Sequence, residues 1–576
     1  MKRIFLVIAI VCIGMITQAQ DSKKIMLPTG WALSPAGKSL ALGDLPLNMA
    51  VSKSKKLMAI TNNGQSTQSI QLINLVSNTI LDNIKIDKSW LGIAFSADEK
   101  TLYASGGNDN WILKYSIINN KLKLTDSIKL GEKWPNKISP AGICINDAKN
   151  ILYVVTKDDN SLYEVNLVSK KIMNKTALPA EAYTCVLSND NSELYISVWG
   201  AEKLVVYNTL SQKITSSIAT GTHPNDLILS KNGKTIYVAN GEDNSVSVID
   251  IKNRKVIETL HCALYPNAPA GSATNGVALS TDEKTLYIAN ADNNCLAVFD
   301  VTVVGNSKSK GFIPVGWYPT SVKVVGSKIY VTNGKGFSSF ANPLGPDPYN
   351  QNAQMAVQKG LLKNTKEVQY IGGLMKGTLS IINTPSEKQL GLYSAAVYEN
   401  TPYTKNNEEK SNAEIGSVIP QKVGDPSAIK HVFFIIKENR TYDQVLGDMK
   451  EGNGDTSLCL FGEKITPNQH ALAREFVLLD NFYVNGEVSA DGHNWTMGGY
   501  ANDYLEKNWV TSYGGRGGTY DAEGTRAIAN NKNGFIFEPK DFLALSAILN
   551  QLVLGNLNCD QDVSLQVQYD FNLENM

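Results

Sequence analysis

The chain has 576 residues, with 54 Lys+Arg against 54 Asp+Glu, 43% hydrophobic and 19% charged residues. Zero net charge excludes a basic nucleic-acid-binding surface and a polybasic membrane-surface protein. The composition excludes disordered, collagen-like and coiled-coil chains and leaves ample apolar material for a core.

Lys2 and Arg3 form a positive start, followed by an apolar run from Ile4 to Ile16. Its 13 residues are too few to span about 30 Å of hydrocarbon at about 1.5 Å per residue. With Thr17-Gln18-Ala19 behind it, the pattern predicts a secretory signal peptide over residues 1–19, cleaved near Ala19. A periplasmic or secreted location is therefore expected, with no transmembrane segment in the mature chain. Cys144, Cys185, Cys262, Cys295, Cys459 and Cys559 are scattered without a CxxC pair, so they read as small buried side chains rather than a disulfide framework. Five histidines and no cysteine pairs give no zinc cluster.

A repeat comes next. Met58, Tyr103, Tyr153, Tyr195, Tyr237, Tyr287 and Tyr330 mark seven short apolar strands at spacings of 45, 50, 42, 42, 50 and 43. A polar reversal precedes most of them, such as Ser280-Thr-Asp-Glu-Lys284, and a second turn such as Gly241-Glu-Asp-Asn244 leads into another alternating strand. Period-2 alternation between such turns is a hairpin signal. A four-stranded unit every 40 to 50 residues is the mark of a β-propeller blade, and seven copies suffice to close a ring. The segments Ile236-Tyr-Val-Ala-Asn240, Leu286-Tyr-Ile-Ala-Asn290 and Ile329-Tyr-Val-Thr-Asn333 resemble the YVTN-repeat propellers, which implies an exported seven-bladed ring over residues 25–400. His223 and His261 are read as structural groups rather than metal ligands. Residues 334–377 read as an insertion in the last blade, packed against the C-terminal domain, with the strand pattern resuming at Thr378-Leu-Ser-Ile-Ile-Asn383. Residues 401–428 are polar with Pro and Gly and read as a linker.

From residue 429 the texture changes. Val432 to Ile436 is continuously apolar, as in a strand buried on both faces, and ends at Glu438-Asn439-Arg440-Thr441. Functional groups of open α/β sheets gather past such strand ends. Thr466-Pro-Asn-Gln469 predicts a helix start, Phe476 to Asp480 a second strand, and Tyr500 to Lys507 a further helix. A hydroxyl where a strand gives way to a helix faces free N–H groups, a place that suits a phosphate and a nucleophile.

Lys437-Glu-Asn-Arg-Thr-Tyr-Asp443, Asp480-Asn-Phe-Tyr483 and Ser489-Ala-Asp-Gly-His-Asn494 resemble the phosphoesterase family of the alkaline-phosphatase superfamily, which includes acid phosphatases and phospholipases C. The resemblance implies that Glu438, Asn439 and Ser489 hold a divalent metal, zinc or another. It implies that Ser489 is the nucleophile, with Thr441 and Thr496 as rival hydroxyls and helix capping as its plain alternative. His493 and Asn494 would contact the phosphate of a small phosphate ester or a phospholipid. The whole chain resembles bacterial proteins that join a YVTN-type propeller to such a domain.

The expected fold class is therefore multidomain: an all-β seven-bladed propeller followed by a partial α/β alkaline-phosphatase-like domain over residues 429–576. That domain is short for its family, and its later Asp and His ligands are not recognisable. From Asp541 onward 36 residues contain no Lys or Arg and nine Asn or Gln, which suggests truncation or a frameshift near residue 538. One carboxylate, one amide and one serine fall below the usual four to six or more ligands of a divalent site. Two functions are expected to compete: a metal-dependent phosphoesterase, hydrolysing poorly if at all, and a non-catalytic propeller that binds a protein, peptide or glycan.

Overall fold

The computed structural model of the protein describes residues 24–338 except 267, 370–403, 413–431 except 423, then 435, 439–518 except 485, and 528. The predicted signal peptide, most of the insertion, most of the strand at 432–436, Glu438 and the tail beyond 528 lie outside the described residues.

Seven four-stranded antiparallel sheets form a seven-bladed propeller. The first strand of each blade lies against the first strands of its neighbours, and blade 7 meets blade 1, so the ring closes. The seven positions marked in the sequence all fall on the second strand of a blade, from Leu57–Asn62 in blade 1 to Lys328–Gly336 in blade 7. Their side chains are buried between sheets, Tyr153 completely and Tyr330 nearly so.

Two local devices repeat. The turn between first and second strands carries one left-handed residue in every blade: Lys55, Glu99, Asn150, Asn191, Gly233, Glu283 and Gly326. Such a residue gives a short antiparallel connection the strand twist it needs. The second device is the Asn that ends the repeat motif. Asn62 donates to Ser69 and Gln71, and Asn240 to Ser245 and Ser247, at 3.0–3.1 Å. Asn333 donates to Thr378 and Ser380 at 3.1 and 3.0 Å, so the motif ties the second strand to the third even across the insertion.

The last blade is composite. Strands Trp317–Val325, Lys328–Gly336 and Thr378–Asn383 are completed by Lys38–Ala41 from the N-terminal end, with Leu40 opposite Leu379 and Ala41 opposite Thr378. The ring thus shuts by pairing residues about 340 positions apart. Helix α1, Glu387–Asn400, has no counterpart in the sequence reading; Ser386 caps it and it packs on the outer strand of blade 6.

The C-terminal part is helical: α2 Tyr442–Leu446, α3 Pro467–Glu475, α4 Ser489–Gly498 and α5 Asp503–Tyr513. No strand occurs among its described residues. The expected strand at Phe476 to Asp480 is irregular and exposed, with Phe476 at 70% and Leu479 at 61%. Its expected partner lies mostly outside the described residues. The helix expected from Tyr500 starts instead at Asp503, because Asn502 caps it by accepting from the Leu505 N–H at 3.0 Å.

Candidate functional site at the mouth of the ring

One face of the propeller carries the turns between second and third strands together with the starts of the inner strands. Helix α5 sits in that mouth. Its Asp503, Tyr504, Leu505, Lys507 and Trp509 are all buried, Lys507 completely. Tyr504, Leu505, Trp509 and Val510 join the largest apolar cluster of the ring, beside Tyr183, Trp199 and Tyr318.

Every blade reaches this segment. Blade 1 accepts from the Arg516 guanidinium through the carbonyls of Gln65, at 2.7 Å, and Ser66. Asn108 of blade 2 donates to the Arg516 carbonyl at 3.3 Å. Lys157 of blade 3 donates to Asn508 Oδ1 at 2.6 Å. Trp199 of blade 4 donates its indole N–H to Asp503 at 3.0 Å. From blade 5, His223 Nδ1 lies 2.7 Å from Asp503 Oδ1, and Asn225 donates to Oδ2 at 3.2 Å. Asn275 of blade 6 accepts from Lys507 Nζ at 2.8 Å. Lys335 of blade 7 pairs with Glu506 at 3.0 Å and with Glu487 at 2.6 Å. Gly241 makes room for this docking: a Cβ there would meet Asp503 Cγ at 2.9 Å.

The charges are organised in two groups. In the first, Asp503 and Lys507 pair at 2.9 Å one helical turn apart, and Glu242 accepts from the Tyr500 hydroxyl at 2.7 Å. Burial acts to raise the Asp503 carboxyl, but the Lys507 charge and the His223 hydrogen bond outweigh it and hold the group well below its ordinary range. For His223 burial acts downward, and the hydrogen bond and charge of Asp503, with the charge of Glu242, carry the imidazole upward instead. Burial raises Glu242, and Asp503 adds to the rise. His223, Glu242 and Asp503 hold candidate ligand atoms within 4.8 Å of one another. Yet the Asp503 oxygens already face His223, Trp199, Asn225 and Lys507, so the Lys507 ammonium fills the role an ion would take.

The second group surrounds Lys335. Glu487, Asp491 and Glu506 lie with ligand atoms within 4.8 Å of one another. Burial pushes the Glu506 carboxyl up to about 7, with Glu487 adding to the rise and Lys335 opposing it. Burial acts to lower Lys335, but the charges of Glu487 and Glu506 raise it above the ordinary lysine value.

Ser489 stands beside this second group, as the first residue of α4 after the N-cap Val488. It is partly exposed, whereas His493 and Asn494 are buried farther along the helix, at 8% and 0% exposure. Gly486 lets the entering chain close on the helix start: a Cβ there would meet the Gly492 nitrogen at 2.6 Å. Of the rival hydroxyls, Thr496 donates to the Gly492 carbonyl at 2.8 Å and Thr441 is the N-cap of α2. Asn439 is exposed at the start of a separate unit around α2 and α3, and no hydrogen bond among the described residues joins it to Ser489. Glu438 lies outside the described residues.

Sequence reasoning missed His223, Glu242, Lys335, Asp503, Glu506 and Lys507 as a set. The available signal was Asp503 and Lys507 at i, i+4 on a helix that also carries Tyr504, Leu505, Trp509 and Val510. That spread leaves no polar face for water, a pattern that calls for burial on all sides.

Residues 185–335 match the family model described as "Lactonase, 7-bladed beta-propeller", a stretch running from blade 4 into blade 7. No curated protein matches the chain. Among solved structures it is similar to Kuenenia stuttgartiensis hydrazine synthase, at 17% identity and TM-score 0.43 over 50% of this chain and 92% of that one. It is also similar to U3-55K, at 13% identity and TM-score 0.46 over 60% of this chain and 98% of that one.

Proposed function

We propose that this is an exported, metal-dependent phosphoester hydrolase in which the propeller holds the nucleophile-bearing helix, with Ser489 as the nucleophile. The observation that carries this reading is the position of Ser489. It opens α4, partly exposed, where free N–H groups and the positive helix end favour an oxyanion and a phosphate. Thr496 spends its hydroxyl on the helix backbone and Thr441 caps α2, which further favours Ser489.

The carboxylates near it are hard oxygen donors that fit a hard divalent ion better than zinc's usual nitrogen and sulfur set. Lys335 already takes a cation's place beside Glu487 and Glu506, so the ion would be held by Ser489 with the nearby Asp491, joined by Glu438 and Asn439 if the family's ligand pattern carries over. A bound ion would lower the hydroxyl's pKa and neutralise phosphoryl oxygens. The chain's own part is to aim the Ser489 oxygen at phosphorus, to pin Glu487 and Glu506 through Lys335, and to orient a small phosphate ester or phospholipid headgroup through His493 and Asn494. Purified protein should release p-nitrophenol from its phosphate ester only with a divalent metal, and Ser489→Ala should abolish the release. No release across a metal series would overturn the reading.

A second reading is a non-catalytic propeller that binds a protein, peptide or glycan. Since α5 fills the mouth, such a partner would bind elsewhere on the ring or displace α5. The same occupancy weighs against lactone hydrolysis, the activity that the matched family's description suggests.

A further inference from the structure

We infer that the mouth of the propeller is a receptor for a helix bearing a carboxylate and an ammonium one turn apart, and that residues 499–518 of this chain are its resident ligand, bound independently of the tether. The inference does not depend on whether Ser489 reacts.

The reason lies in how each polar head is met. Asp503 receives three donors from two blades: His223, Asn225 and the Trp199 indole. The Lys507 ammonium enters a box formed by the Asn275 side-chain oxygen Oδ1 at 2.8 Å and the faces of Tyr183 and Trp199, 4.9 and 5.2 Å from the ring centres. Such faces attract a desolvated cation. Glu506 and Asn508 meet Lys335 and Lys157, and Tyr500 meets Glu242. A charge taken out of water is tolerated only where partners replace its hydration. Here they do so for an acid and a base together, from side chains far apart in sequence, between residues 157 and 335. These partners read position and sign, so a helix lacking the acid leaves His223 and Lys507 without their shared partner. Trp509 adds an apolar anchor, with Gly372 close enough that a Cβ there would meet the indole at 3.2 Å. A buried aromatic ringed by satisfied polar contacts is how a binding hot spot is built.

A tether holds such a ligand at a high effective concentration, and cutting it turns docking into association between two pieces. The test introduces a protease site in the exposed stretch at residues 413–431 of the full chain and cleaves the purified protein. The two fragments should stay together on size exclusion at low micromolar concentration. A synthetic peptide of residues 499–518 should then displace the C-terminal fragment, and the same peptide with Asp503→Asn should compete about 100-fold less well, since breaking one side of a buried pair is costly. The substitution sits in the peptide, so folding of the ring is not in question. Separation of the fragments on cleavage would overturn the inference. So would equal competition by the two peptides, or retention of the fragments with no displacement by either.

Discussion

Two neighbouring stretches of the C-terminal part meet opposite fates. Residues 439–484 expose what ought to be core: Phe476, Val477, Phe482 and Val484 stand at 70%, 67%, 80% and 83%. Their ordering contacts include the exposed ion pair of Arg474 with Glu463 and the contact of the buried His470 with the partly exposed Asp448. Residues 499–516 do the reverse and bury Asp503, Glu506, Lys507 and Arg516. In this chain, burial is decided by access to the ring rather than by polarity. A charged helix that finds matching partners goes inside, and an apolar stretch that finds no strand to pair with among the described residues stays out.

The strongest way to break this contrast is to take one partner from the buried pair. Lys507→Met should leave Asp503 short of its main counter-charge and cost about 3–5 kcal/mol of docking stability. Hydrogen exchange over residues 499–516 should rise sharply while the outer strands of the ring keep their protection. Unchanged protection would mean that apolar packing alone holds the helix.

A pH series should give a smaller effect. His223 is raised from its ordinary 6.5, so its contribution is complete below about that value and is lost as pH climbs through the folded-state value. Glu242, raised from 4.5, acts in the same direction as it ionises. Asp503 is depressed from 3.8, so its contribution persists above that value and fails only in strong acid. Docking should therefore be tightest between about pH 4 and 4.5, begin to loosen as Glu242 and Glu506 ionise above that, and loosen further as His223 loses its proton above 6.5. His223→Gln should flatten that alkaline limb in a melting series, and a limb of unchanged slope would remove His223 from the account.

The smallest effect belongs to the exposed stretch. Phe482→Ser should leave the melting temperature within error while reducing aggregation on storage, because surface substitutions away from packed features rarely cost stability. A clear loss of stability would show that Phe482 packs against a part of the protein outside the described residues.

Much of the ring was legible because its signal is periodic. The buried tyrosines recur at blade spacing, and turn residues such as Asn150 and Asn191 sit where a left-handed backbone is needed. The closing strand Lys38–Ala41 was not legible, since four residues with no partner nearby in sequence carry no period of their own. In the site, Ser489 was singled out through the resemblance of its motif, and the structure puts it at the start of a helix. The Asp503–Lys507 pair escaped notice because charged residues on a helix ordinarily face water. Only the fold brings Trp199, His223 and Asn275 around them.

The composite seventh blade sets an order on biosynthesis. Lys38–Ala41 leaves the ribosome early, but its partner Thr378–Asn383 is made more than 300 residues later. At about 5–20 residues per second this is a wait of roughly 20 to 70 s, during which the early strand has an open edge. Any factor that shields nascent chains would find its target here, at the first turn of the wheel.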